Sequence, residues 1–265
     1  MNAGFAQLTS RENPRLRLLA RLVGTPRACR KAGFTVLDGV HLLDSLLQAG
    51  QAPEWGLLTA AALARDEVLR AVERSHASGT EWFEVPATLF SQLAPTAHPS
   101  GVLSLLPLPP VMQADAIGAE AFVLLLEDIQ DPGNLGTLLR AAHGAGLRSV
   151  ALSPGCTEAW APRVLRAGMG AHFALTLFED CDLPALAGRH GRVWAAAADG
   201  SHTLWQAPLA HAGGVAIGNE GAGLSASLRA ACLDSVAIPL APGCESLNAG
   251  VAGALLMFEW SRQRG

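Results

Sequence analysis

Lysine is almost missing from this chain: Lys31 is the only one. No Gly-x-x-x-x-Gly-Lys-Ser/Thr run can therefore exist, which excludes a phosphate loop of the P-loop NTPase kind. No Gly-x-Gly-x-x-Gly follows a strand-like run either, and this counts against an ordinary dinucleotide fold. Long hydrophobic runs are also lacking. The longest, such as Phe122 to Leu126 and Val193 to Ala198, are too short to span a bilayer, so no membrane association is expected. The segment Met1 to Gln7 has no basic stretch leading into an apolar one, so no secretory leader is expected. Cysteine is sparse and unpaired in pattern. Cys29, Cys156, Cys181, Cys232 and Cys244 are an odd, scattered set without Cys-x-x-Cys. They read as buried or free thiols in a reducing compartment, and the expected location is the cytoplasm.

What is present is a large apolar fraction. Half of the 265 residues are hydrophobic, enough to build one large domain or two ordinary ones. The net charge is −4, yet basic residues crowd one place. Between Ser10 and Lys31 stand Arg11, Arg15, Arg17, Arg21, Arg27, Arg30 and Lys31, against Glu12 alone. Such a block can neutralise phosphates. It can equally be the solvated face of an amphipathic helix, since Leu16, Leu18, Leu19, Leu22 and Val23 supply the apolar side.

The chain divides near residue 110. Pro107, Pro109 and Pro110 suit neither a helix nor a central strand, and the small, polar stretch 112–119 suits a linker. Before the linker, the pattern predicts helices over 13–31, 41–49 and 60–78, with strands at 34–37, 55–59, 82–85 and 102–106. After it, strands are predicted near 121–127, 148–153, 173–177, 192–197, 213–217 and 235–239, with helices between. This alternation implies α/β architecture with a mostly parallel sheet covered on both faces.

Three polar loops carry the chemistry. Asp131-Pro132-Gly133-Asn134-Leu135-Gly136 opens a helix marked by Leu135, Leu138, Leu139 and Ala142, placing Asn134 at or near its start and Arg140 about one and a half turns in. An asparagine there reads as a helix cap. An arginine among leucines and alanines could instead anchor a phosphate or a developing alkoxide. Gly218-Asn219-Glu220-Gly221-Ala222-Gly223 follows the strand Val215 to Ile217; its glycines permit close backbone approach to a ligand, with Glu220 held at the strand's C-terminal edge. Ile238-Pro239-Leu240 and Glu245-Ser246-Leu247-Asn248 then precede an apolar helix, with Ser246 a natural cap and Asn248 in the first turn.

Taken in order, these loops resemble the three signature motifs of the SpoU/TrmH branch of the SPOUT RNA methyltransferases. The match extends over residues 121–265 and includes Gly155-Cys156-Thr157, Arg163 to Ala167 and Gly170-Ala171. Residues 9–106 are similar to the substrate-binding domain that often precedes it, through Asn13-Pro14-Arg15, Arg30-Lys31, Gly33-Phe34, Gly39 and Ser100-Gly101-Val102. The resemblance implies an RNA substrate-binding domain at 1–107 with a ribosomal-protein-like fold, a linker at 108–119, and a methyltransferase domain with a trefoil knot at 120–265. It implies methyl transfer from S-adenosylmethionine to a ribose 2′-hydroxyl in RNA. Large-subunit ribosomal RNA is favoured over transfer RNA, and DNA is not expected. A homodimer is implied, with the arginine of the first motif near the partner's cofactor.

By the same resemblance, Asn134, Arg140, Glu220, Ser246 and Asn248 form the catalytic set. Gly218, Asn219, Gly221, Ile238 and Leu247 hold the cofactor, and Arg11, Asn13, Arg15, Arg30 and Lys31 meet RNA. No metal is implied, because the sulfonium already activates the methyl. Two departures stand out: the family commonly has serine at Gly168, and Val-Ser at Ala249-Gly250. Loss of those hydroxyls keeps a second reading open, an RNA-binding or assembly protein on a methyltransferase fold without turnover.

Overall fold

The structure of the protein, a computed structural model, describes residues 5–25, 27–95, 99–118 and 120–265. Two compact units form, one from residues 1–109 with 160–173, the other from 110–159 with 174–265.

The first unit holds strands β1 (Ala6–Gln7), β2 (Phe34–Asp38), β3 (Trp55–Leu58), β4 (Glu81–Glu84) and β5 (Val102–Pro107) in the order β1-β4-β3-β5-β2. β1, β4 and β3 are parallel, and β5 runs antiparallel to β3 and β2. Helices α1 (Pro14–Gly24), α2 (Ala28–Ala32), α3 (Val40–Gln48), α4 (Ala60–Leu63), α5 (Asp66–Ala77) and α6 (Ala87–Leu93) belong to the same unit. One core joins Leu16, Leu19 and Leu22 of α1 to Val36, Leu57, Phe83 and Leu105 of the sheet. The single basic helix expected over 13–31 is two helices. Thr25 is extended, as a residue before proline prefers, and Arg27 is left-handed (φ 57°); Pro26 itself lies outside the described residues. The expected helix 60–78 is likewise split, because Arg65 takes an extended conformation and starts α5 afresh.

The second unit is a seven-stranded, wholly parallel sheet. Its strands are β6 (Val123–Leu126), β7 (Ser149–Leu152), β8 (Thr176–Phe178), β9 (Val193–Ala196), β10 (His202–Thr203), β11 (Gly214–Ile217) and β12 (Asp234–Ala237), ordered β10-β12-β9-β11-β6-β7-β8. β6 and β11 are buried along their whole length, as strands covered on both faces must be. α7 (Pro132–Gly144) follows β6; α8 (Pro162–Gly168) leaves this unit, and α9 (Leu183–His190), α10 (Ala226–Ala231) and α11 (Ala249–Arg264) complete it. From β6 the chain builds one side of the sheet with β7 and β8, then crosses to build the other. The loops after β9, β11 and β12 gather at their C-terminal ends, where open parallel sheets bind ligands.

Residues 160–173, contiguous in sequence with the second unit, pack with the first. Thr35 donates through Oγ1 to the Trp160 carbonyl at 2.6 Å. The fully buried Asp38 carboxylate accepts from Ser100 Oγ at 2.6 Å and from Arg166 Nη1 at 2.7 Å. Removing a carboxylate from water is costly unless it is paired and hydrogen-bonded, and here it is both. Residues 171–173, where a strand was expected to begin, form a single 3₁₀ turn; β8 starts only at Thr176.

Candidate active site

The first motif loop starts α7, but Asn134 is not its cap. Asp131 caps the helix, accepting the Asn134 N–H at 2.8 Å, with Pro132 in the first helical position. Asn134, now in the first turn, is free to point its amide elsewhere. At the third motif the capping role expected of Ser246 belongs to Asn248, whose Oδ1 accepts the Val251 N–H at 3.3 Å. Ser246 remains exposed on the loop.

These two corrections bring the three loops together. Asn248 Nδ2 donates to Asn134 Oδ1 at 2.7 Å and to Glu220 Oε1 at 2.9 Å. Asn134 Nδ2 donates to the same Glu220 oxygen, and the Ala249 N–H approaches it at 3.5 Å. Glu220 thus gathers donors from the other two motifs onto one carboxylate. Charge-assisted bonds of this kind are stronger than neutral ones and fix geometry well.

The loop bearing Glu220 is itself tightly built. Asn219 and Gly223 exchange backbone bonds at 3.1 and 2.8 Å. Asn219 Oδ1 accepts the Gly221 and Ala222 N–H groups at 2.9 and 3.1 Å, while its Nδ2 donates to the Asp128 carbonyl at 2.9 Å. Its side chain and its backbone are therefore both spent on holding the loop. A Cβ on Gly218 would lie 2.3 Å from the Gly223 carbonyl, so only glycine allows the two backbone strands to touch.

Beside this cluster opens a cavity. Its walls are Ala196, Ala197, Ala198, Ile217, Val236 and Ile238; Leu240, Leu247, Ala252 and Leu256 also line it. Gly218, Asn219, Glu220 and Ser246 bring polar atoms to its edge. Of the proposed cofactor residues, Gly218, Asn219, Ile238 and Leu247 line it and Gly221 does not. The alanines after β9 carry no chemical signature in the sequence; only their place at a strand end marks them.

Arg140 stands apart. It is exposed on α7 and makes no ion pair or side-chain hydrogen bond among the described residues. Helical spacing puts it in one row with Thr137 and Gly144. A Cβ on Gly250 would come within 2.9 Å of the Thr137 methyl, and one on Gly144 within 3.4 Å of Phe258. That row therefore runs beside α11, which exposes Val251, Leu255 and Phe258 at one-turn intervals. The steric fit also accounts for Gly250, since Thr137 fills the volume a side chain there would need.

In the first unit the basic residues separate into two kinds. Arg15 is already engaged: it pairs with Glu81 at 2.6 Å and lies over the Phe83 ring at 4.4 Å. Asn13 caps α1 by accepting the Arg15 N–H at 2.9 Å. Arg11, Arg17, Arg21, Arg27 and Lys31 are exposed, and Arg30 is half-buried.

Comparison with known proteins places the chain in a family. A family model described as the SpoU rRNA methylase family matches residues 121–258. An uncharacterised tRNA/rRNA methyltransferase of Synechocystis is 31% identical over 100% of this chain and 96% of its own. The 23S rRNA (guanosine(2553)-2′-O)-methyltransferase of Bacillus subtilis is 27% identical over 95% of this chain and 98% of its own. A crystal structure of an RNA 2′-O ribose methyltransferase superposes with a TM-score of 0.83 at 27% identity, covering 97% of this chain and 99% of that one. The chain belongs to the SpoU rRNA methylase family and is an RNA methyltransferase.

Proposed function

We propose that the protein methylates a ribose 2′-hydroxyl in RNA with S-adenosylmethionine as donor, and that its RNA is ribosomal. The convergence of Asn134, Glu220 and Asn248 at the mouth of an apolar cavity carries this reading. The donor fits that cavity in kind. Small aliphatic walls suit a flat purine, and the polar edge with the backbone of Gly218, Ile238 and Leu247 suits the ribose and amino-acid ends. When bound, it supplies an electrophilic sulfonium methyl. Asn134, Glu220 and Asn248 orient the target nucleotide, with Ser246 at the exposed edge. Arg140 stabilises the developing alkoxide as the hydroxyl gives up its proton to water; a guanidinium stays protonated and is unsuited to acting as the base. The Bacillus subtilis relative, matched over nearly its whole length and named for 23S rRNA, supports ribosomal over transfer RNA.

A homodimer and a trefoil knot belong to the same reading. The exposed Val251, Leu255 and Phe258 on α11, adjoining the row that holds Arg140, support pairing with a second copy that receives the arginine. The meeting of the loops after β11 and β12 with the start of α7 supports the knotted arrangement.

Methyl transfer from labelled donor to ribosomal RNA lacking this protein's modification tests the activity. Calorimetry tests the site, with S-adenosylhomocysteine expected to bind and NAD and ATP expected not to. Transfer to no RNA, with NAD or ATP bound instead, would overturn the reading.

We also assign RNA binding to the first unit, through Arg11, Arg30 and Lys31 together with Arg17 and Arg21. Alanine at Arg11, Arg17, Arg21 and Lys31 is expected to lower RNA affinity broadly. The salt slope should fall by roughly 0.7–0.9 for each phosphate that is no longer neutralised. Filter binding across a salt series measures both, and an unchanged slope would show only a solvated face. Arg15→Ala is expected to act on stability, because it removes the Glu81 pair and the guanidinium lying over the Phe83 ring.

A further inference from the structure

The segment after β9 is built closely onto β12. A Cβ on Gly200 would lie 2.5 Å from the Ala237 nitrogen, so only glycine lets the chain pass there. Ser201 Oγ donates to the Asp234 carboxylate, and His202 Nδ1 lies 3.4 Å from its other oxygen. His202 and Thr203 pair in register with Val236 and Ala237. The Leu204 N–H then donates to the Ala237 carbonyl at 2.8 Å, and the Leu204 side chain is fully buried. Gln206 and Ala207 close the turn with N–H bonds to the Thr203 carbonyl at 3.0 and 2.9 Å, and Thr203 Oγ1 donates to Gln206 Oε1 at 2.8 Å.

Six of the seven residues from Ser201 to Ala207 are thus pinned, and Trp205 is the one that is not. Trp205 is 61% exposed and makes no ring contact among the described residues. The backbone that carries the indole is fixed by bonds on both sides of it. The turn adjoins Ala237, and Ile238, the next residue, is a wall of the cavity. Trp205 itself does not line that cavity, so the purine assigned there is not its partner.

We propose that Trp205 is a stacking platform for an unpaired base of the RNA substrate, next to the nucleotide that is methylated. This rests on the RNA methyltransferase reading and adds to it a positioning residue outside the three motif loops. Aromatic side chains bind single-stranded bases through their π faces, and single-stranded regions are where proteins reach RNA bases. Presentation on a hydrogen-bonded turn means that little backbone freedom remains to be lost on binding.

The test uses full-length Trp205→Ala and Trp205→Phe proteins, with ribosomal RNA lacking this modification as substrate and short oligoadenylate as a probe. Trp205→Ala is expected to raise KM for RNA by roughly 5- to 150-fold, the range for truncating a stacking aromatic. The value of kcat, the affinity for S-adenosylhomocysteine and the melting temperature should stay near wild type, because the indole touches neither the cavity nor the core. Phenylalanine should restore most of the loss. Oligoadenylate should quench tryptophan fluorescence in the wild type and quench it less in Trp205→Phe, even if no RNA is methylated; that separates this inference from the activity it rests on. Unchanged KM and quenching in the variants would overturn the platform. Weakened S-adenosylhomocysteine binding with RNA binding intact would place the indole over the cofactor, and a variant that turns from dimer to monomer would place it in an interface between copies. Either would also overturn it.

Discussion

Replacing Arg140 by alanine is expected to cut methyl transfer by about two to three orders of magnitude while folding and cofactor affinity stay near normal. That scale is typical of losing one preorganised group that meets developing charge. The fold should stay intact because the side chain is exposed and forms no ion pair among the described residues. Lysine should rescue poorly, since a point charge cannot reproduce the planar fork that meets phosphate and alkoxide together. The position of Arg140 beside the exposed apolar row of α11, away from Asn134 and Glu220 in its hydrogen bonding, makes complementation the more revealing form of the experiment. Mixed with a chain disabled at the cofactor loop, Arg140→Ala protein should regain part of its activity. One site of the mixed dimer then combines a sound loop with a sound arginine. Near-normal turnover by Arg140→Ala alone would refute the catalytic role; failure to complement would refute only the shared geometry.

Gly218→Ala is expected to have an effect of similar size through a different cause. The added methyl would press on the Gly223 carbonyl carbon and oxygen, each 2.3 Å away, and on the Leu224 nitrogen at 2.5 Å. All three are backbone atoms that no rotamer change can move aside. The Asn219–Gly223 bridge must open, and with it go the Asn219 side-chain bonds that hold the loop and the placement of Glu220. S-adenosylhomocysteine affinity should fall by at least about tenfold, corresponding to roughly 1.4 kcal/mol of binding free energy. The melting temperature should drop as well, as expected for overpacking against an unyielding neighbour. Calorimetry and thermal denaturation read the two effects. Wild-type affinity in Gly218→Ala would mean that the loop does not form the cofactor wall.

The loops themselves were legible because their chemistry is unusual in local sequence. A carboxylate between glycines after a strand, and asparagines at two helix starts, point to polar atoms collected at a sheet edge. Which atom caps which helix was not legible. Asp131 and Asn134 are both good caps, as are Ser246 and Asn248, and the choice depends on where the chain enters each helix. The use of Asp131 as the cap frees Asn134 to reach Glu220. The pairing of Arg15 with Glu81 is a contact across sixty-six positions, and helix periodicity carries no trace of it. The same holds for residues 160–173, whose company in the first unit is set by Asp38 and Thr35, far off in sequence. Strand positions were readable from apolar runs, whereas the two-residue β10, which positions Trp205, is too short for any period to show.

The central claim is tested most directly by mapping 2′-O-methylated riboses after purified protein is incubated with S-adenosylmethionine and a mixture of ribosomal and transfer RNA lacking its modification. A new methyl at one ribose of ribosomal RNA, absent with Arg140→Ala protein, is the expected result. A methyl placed on a base, or no methyl on any RNA while the cofactor still binds, would contradict it.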